Sequence, residues 1–150
     1  MAIDLLNIQP TVISRDLKGK YILIYGKPKT GKTTLASKFP KNLLLAFEKG
    51  YNAIDNIYVQ DINNWSEFKQ VLRQLKRPEV QEQYHTITID TTTIAYEMCE
   101  NYICQQNAVQ SISEIPWGGG YAATKKEFES CLRQITMMGY GLVLISHIET

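Results

Sequence analysis

The run Gly26-Lys27-Pro28-Lys29-Thr30-Gly31-Lys32-Thr33 narrows the fold of this chain more than any other feature. It fills every fixed position of G-x-x-x-x-G-K-[ST], a pattern that average composition supplies by chance in roughly 1 in 200 chains of this length. The apolar run Tyr21–Tyr25 (YILIY) precedes it, and a helical stretch through Phe39, stopped by Pro40, is expected to follow. A strand, a glycine-bearing loop and a helix in that order wrap backbone N–H groups, here from Lys29 to Thr34, around phosphate oxygens. Gly26 and Gly31 supply backbone geometry and close approach that a Cβ would obstruct. Lys32 is expected at the β- and γ-phosphates, and the Thr33 hydroxyl on Mg²⁺. The expected phosphate-binding set is therefore Gly26, Lys27, Pro28, Lys29, Thr30, Gly31, Lys32, Thr33 and Thr34, with ATP and Mg²⁺ as ligands. The plain alternative is a Gly/Lys-rich turn before a surface helix.

Periodicity supplies the frame around this loop. YILIY reads as a strand buried on both faces, and Leu43–Phe47 (LLLAF) as a second. Ile57–Ile62 is a short third candidate. Trp65, Phe68, Val71, Leu72 and Leu75 follow helical spacing, Thr86–Asp90 (TITID) returns to strand, and Ile94 to Ile103 carries another helical stripe. Ser111–Gly120 reads as loop. Phe128, Cys131, Leu132 and Ile135 form a further helical face that Gly139 would terminate, and Leu142–Ile145 is a last strand. Strands alternating with helices imply a parallel sheet joined by crossovers. The expected class is α/β, a three-layer parallel sheet with helices on both faces, in one domain over residues 1–150. A buried-type strand so close to Thr150 reads as a core truncated on its C-terminal side.

Composition removes some function classes. A net charge of +1 over 150 residues announces no polyanion partner by itself, so DNA binding would need a local patch or several copies. No apolar run approaches the roughly 20 residues that cross a bilayer, and the start of the chain does not read as a secretory signal. The three cysteines, Cys99, Cys104 and Cys131, lack metal-like spacing and read as small core residues carrying reduced thiols. Lys69, Arg73 and Arg77 recur every fourth residue, as a solvated helix face does; a nucleic-acid stripe is the alternative.

Asp90 closes the TITID strand, at the edge where ligands of open α/β sheets gather, and is the expected second Mg²⁺ ligand with Thr33. Thr91 follows it, where many ATPases of the AAA+ and ABC kinds place the glutamate that activates water. The general base must then come from elsewhere. Glu48, directly after LLLAF, is the candidate, against the reading of a solvated turn residue. Ser146-His147 closes the last strand, where a polar side chain can touch a γ-phosphate or the attacking water.

Tyr25–Ala36 (YGKPKTGKTTLA), Leu43–Tyr51 (LLLAFEKGY), Thr86–Thr91 (TITIDT) and Gly141–Ile148 (GLVLISHI), in this order, resemble the RecA-like P-loop ATPases. The resemblance is nearest to the compact phage-encoded members associated with single-strand annealing and recombination. It implies that Lys32, Glu48 and His147 are catalytic, Glu48 as base and Ser146-His147 as the γ-phosphate sensor, although glutamine is usual where His147 stands. It implies single-stranded DNA and further copies of the chain as partners, in the cytoplasm (of a bacterial host cell if phage-encoded). Trp117-Gly118-Gly119-Gly120-Tyr121 falls where such proteins carry a flexible DNA-facing loop, with Lys125 and Lys126 nearby; aromatics packed on the core are the alternative. The family completes its site with a cation from a neighbouring subunit, which no residue here matches. The expected function is ATP hydrolysis coupled to recombination or annealing. A non-catalytic nucleotide-binding or helicase-loading module is the alternative. A small-molecule kinase is a third reading, disfavoured by having only four arginines and no evident lid.

Overall fold

The computed structural model describes residues 2–11, 17–27, 31–48 and 56–147. The elements are β1 (Tyr21–Gly26), α1 (Lys32–Ala36), β2 (Asn42–Ala46), β3 (Tyr58–Asp61), α2 (Trp65–Leu75), α3 (Pro78–Gln83), β4 (Thr86–Asp90), α4 (Thr92–Gln106), α5 (Gly119–Met137) and β5 (Gly141–His147). The strands form one five-stranded sheet in the order β1-β5-β4-β2-β3. Every neighbouring pair is parallel, as alternating strands and helices require.

Side-chain alternation divides the core. Leu142 and Leu144 of β5 face the cluster built with α2, α4 and α5, whereas Val143 and Ile145 face Ala36 and Phe39 on the α1 side. The result is three layers with helices on both faces. β2 and β4 are buried along their whole length, which is why their sequences run apolar or carry small polar residues instead of alternating. Where polar groups are buried they pair: the Thr88 hydroxyl donates to Asn42 Oδ1 at 2.7 Å across β4 and β2.

An aromatic chain ties the layers together. Phe47, just past β2, lies 5.4 Å from Phe68 between ring centroids; Phe68 meets Trp65 at 4.8 Å, and Trp65 meets Phe128 of α5 at 5.8 Å. Trp65 is only 1% exposed, and its indole N–H donates to Glu127 at 3.1 Å. Lys69 completes the group with a 3.0 Å ion pair to Glu127. The hydrogen bond to Glu127 raises the Lys69 ammonium above its ordinary range. Burial works against charge on Glu127, but the bonds from Lys69 and Trp65 outweigh it and hold the carboxyl low. Lys69 is thus a partner of the core edge, while Arg73 and Arg77 stay on the solvated face. Cys99, Cys104 and Cys131 are buried and unbridged, and burial pushes the Cys99 and Cys131 thiols up to about 12.

Three expectations are corrected. β1 is an edge strand covered on one face only. Ile22 and Ile24 pack under α1, whereas Tyr21, Leu23 and Tyr25 are each more than half exposed. An apolar run alone does not distinguish a central strand from this edge. The helix α1 ends at Ala36, short of Phe39. Its exit tightens into bonds from Lys38 N–H to Leu35 O and Phe39 N–H to Ala36 O, and Ser37 Oγ caps Thr34 O at 2.7 Å. Finally, Ser111–Gly120 is not plain loop. Two 3-10 turns, Ile112–Glu114 and Pro116–Gly118, lead into α5, whose first residues are Gly119 and Gly120. A Cβ on Gly120 would lie 2.6 Å from Ile112 O, so the glycine permits the turn to close on the helix. Gly139 does terminate α5, at φ +98°.

Candidate nucleotide site at the carboxyl edge of the sheet

Strand register gathers the site. Gly26 is level with His147, and Asp90 pairs with both Ala46 and Ile145. The last residues of β1, β2, β4 and β5 therefore share one edge, although they are far apart in sequence. The phosphate-loop motif leaves β1 there and enters α1 through Gly31, whose φ of +91° a side chain would adopt only under strain. A Cβ built on Gly31 meets nothing within 4 Å, so space does not require glycine here; backbone conformation does. Pro28, Lys29 and Thr30 lie outside the described residues, as do Lys49, Gly50, Tyr51 and Ile148 of the matching segments.

Lys32 is buried, with its ammonium donating to Gly26 O at 3.0 Å and to Lys27 O. It lies at the root of the loop that its motif defines. Thr34, one turn into α1, is exposed. The Thr33 hydroxyl donates to Asp90 Oδ2 at 2.7 Å, joining the two expected Mg²⁺ ligands across 57 residues. Asp90 is 1% exposed, and its other oxygen, Oδ1, has no partner among the described residues. A buried carboxylate oxygen without a donor is costly unless a cation or a further donor uses it, so these two residues fit a Mg²⁺ ion.

Two devices position Glu48. Phe47 anchors the chain in the core, and the backbone N–H groups of Phe47 and Glu48 both donate to Asp90 O, at 2.8 and 3.3 Å. The carboxylate is thereby held at the same edge, with Glu48 Oε2 3.4 Å from His147 Nε2. The second imidazole nitrogen, Nδ1, is buried and has no partner among the described residues. Glu48, Asp90 and His147 each offer a ligand atom, all within 4.8 Å of one another. The Asp90–Thr91 peptide is cis. Thr91 caps α4 by accepting from Ile94 N–H, so the position after Asp90 serves the helix and holds no carboxylate.

The model of the AAA domain family matches residues 18–150, from just before β1 through the last residue of the chain. The chain belongs to the AAA domain family. Members of that family are generally P-loop ATPases that use ATP and Mg²⁺, and the paired Thr33 and Asp90 are this domain's candidate ligands for the metal. Among curated proteins, the chain is similar to an uncharacterised protein derived from the SPbeta prophage of Bacillus subtilis (strain 168). The two are 34% identical over 153 residues, covering 98% of this chain and 46% of the prophage protein. The chain thus spans about half the length of that relative. No helix among the described residues of this AAA domain is long and apolar enough to cross a membrane.

Sequence reasoning singled out Glu48 and His147 separately and missed their contact. It also missed Glu127. One signal was present: Glu127 lies four residues before Cys131, within the apolar face of α5, where a carboxylate demands a partner.

Proposed function

We propose that this AAA domain hydrolyses ATP in the RecA-like manner, in an oligomer of the chain that acts on single-stranded DNA during recombination or annealing. The observation that carries the reading is the approach of Glu48 from β2 to His147 from β5, 3.4 Å apart beside Asp90. It provides a base and a sensor at the strand ends in place of the glutamate that Thr91 replaces.

In this reading the phosphate loop holds the triphosphate through backbone N–H groups, and Lys32 moves from the Gly26 and Lys27 carbonyls to the β- and γ-phosphates. Thr33 and Asp90 hold Mg²⁺, which when bound neutralises charge on the β,γ-oxygens. Glu48 orients the attacking water and takes its proton. His147 contacts the γ-phosphate and, through the Glu48 contact, registers its loss.

The DNA side of the proposal is supported by Trp117, which is fully exposed at φ +63°, and by Tyr121, 60% exposed. Tyr121 and the exposed Lys125 are four apart on α5 and therefore share a face. An aromatic held clear of the core can stack on a base, a contact worth about 1–3 kcal/mol. The prophage origin of the similar protein agrees with a phage setting.

The test is ATP hydrolysis with and without single-stranded DNA, with Lys32→Ala as the inactive control. Glu48→Gln should lower turnover by about 10²–10⁴-fold while nucleotide binding is retained. Normal turnover in that variant removes Glu48 as base. Nucleotide binding without turnover in the unaltered protein favours a binding or loading module.

A further inference from the structure

We propose that Glu48, Asp90 and His147 form a binding site for a divalent transition-metal ion of the zinc kind, occupied without nucleotide. The site shares residues with the proposed hydrolysis centre but does not depend on turnover. Two carboxylates and one imidazole are a donor set suited to Zn²⁺ or Co²⁺, because imidazole nitrogen favours these ions over Mg²⁺. The spacing agrees with this. Two ligands on one tetrahedral ion, at bonds of about 2.0–2.1 Å, stand about 3.3 Å apart. Glu48 Oε2 and His147 Nε2 are 3.4 Å apart, long for a charge-assisted hydrogen bond and close to that ligand separation.

A second observation points to a ligand independently. Asp90 is 99% buried by its 1% exposure, yet Oδ1 lacks a partner among the described residues while Thr33 occupies Oδ2. Oδ1 is the oxygen left to complete the set. Each of the three residues offers one ligand atom within 4.8 Å of the others, and the half-exposed Glu48 side chain has torsional freedom to close the remainder. The sheet edge fixes the other two, since Asp90 and His147 end adjacent paired strands. An ion held here would occupy the carboxylate needed to activate water, so the same site would let Zn²⁺ inhibit a Mg²⁺-dependent reaction.

The experiment uses chelator-treated, nucleotide-free protein, titrated with Zn²⁺ and Mg²⁺ by calorimetry and with Co²⁺ by visible absorption. The expected result is one Zn²⁺ per chain, bound at least about tenfold more tightly than Mg²⁺. Loss of an outer-shell partner of a metal ligand costs about 10–100-fold in affinity, so removal of a ligand itself in His147→Gln or Glu48→Gln should cost at least about tenfold. His85→Gln, the only other histidine and outside the cluster, should change nothing. Thermal melts without metal show whether each variant is folded, and two separate ligand variants keep the test valid if one is not. Equal affinity in wild type and both variants overturns the proposal. So does Zn²⁺ binding no tighter than Mg²⁺, or a sulfur-to-cobalt charge-transfer band, which would assign the ion to the cysteines. Metal binding here without ATP turnover would refute the hydrolysis reading alone, and turnover without metal selectivity would refute this one alone.

Discussion

Replacing Asp90 by Asn separates what this residue does for the fold from what it does for a ligand. Its carboxylate is 1% exposed and has one oxygen satisfied among the described residues, Oδ2 on Thr33 at 2.7 Å. The other is a buried acceptor without a donor among the described residues, a situation that costs about 1–3 kcal/mol and more for a charged group. Asparagine has nearly the same shape, keeps an oxygen for Thr33, and turns the unpaired acceptor into an N–H₂ donor. Rotation of the half-exposed Glu48 side chain, whose ligand oxygen belongs to the same cluster within 4.8 Å, lets it accept from that donor, whereas two ionised carboxylates cannot bond each other. The variant should therefore be more stable without ligand by about 1–3 kcal/mol, a melting temperature about 2–12 °C higher for a domain of this size. Ligand stabilisation runs the other way. Mg²⁺ and ATP at about 100 times Kd add about 2.7 kcal/mol to the wild type, or about 5–11 °C, and the Mg²⁺-dependent part should vanish in Asp90→Asn. Melts followed by circular dichroism with no ligand, with ATP and chelator, and with ATP and Mg²⁺ read both effects. A variant that melts below the wild type without ligand, or that keeps the Mg²⁺-dependent increment, refutes the reasoning.

Two further perturbations test the frame. Gly120→Ala places a Cβ 2.6 Å from Ile112 O and 2.9 Å from its Cγ2, so urea unfolding should show a loss of about 1–3 kcal/mol despite alanine's better helix propensity. A stable variant would mean that the turn before α5 shifts freely. Glu127→Ala leaves the Trp65 indole N–H buried without its acceptor and should cost about 1–3 kcal/mol, read as a lower denaturation midpoint. Because the folded state holds the Glu127 carboxyl below its ordinary range, its charge contributes stability above the unfolded value of about 4.3. That contribution is lost as pH falls through the lower folded value, so the gap between wild type and Glu127→Gln should narrow in acid; a gap that widens there contradicts the assignment.

Much of this protein was legible before folding. The Gly26–Thr33 motif was legible because its glycines, lysine and threonine stand at fixed positions in one short segment. Helical periodicity located α2 at Trp65–Leu75, and TITID located β4 at Thr86–Asp90, since buried elements must repeat with their own backbone period. The edge position of β1 was not legible, because exposure of Tyr21, Leu23 and Tyr25 depends on which strands and helices cover them. Nor was the entry to α5, where Gly119 and Gly120 read as loop but begin the helix, with Gly120 close against Ile112.

The site divides in the same way. Sequence by itself determined which residues are candidates for chemistry: a phosphate-loop motif, an aspartate at the end of one strand, a glutamate and a histidine at the ends of two others. Only the tertiary structure decided that Glu48 and His147, 99 positions apart, meet at 3.4 Å, and that Thr33 bonds Asp90. The reason is register. Parallel pairing brings the strand ends level, and which strands become neighbours depends on burying both faces of β2 and β4 at once, a condition on the whole chain that no local segment contains.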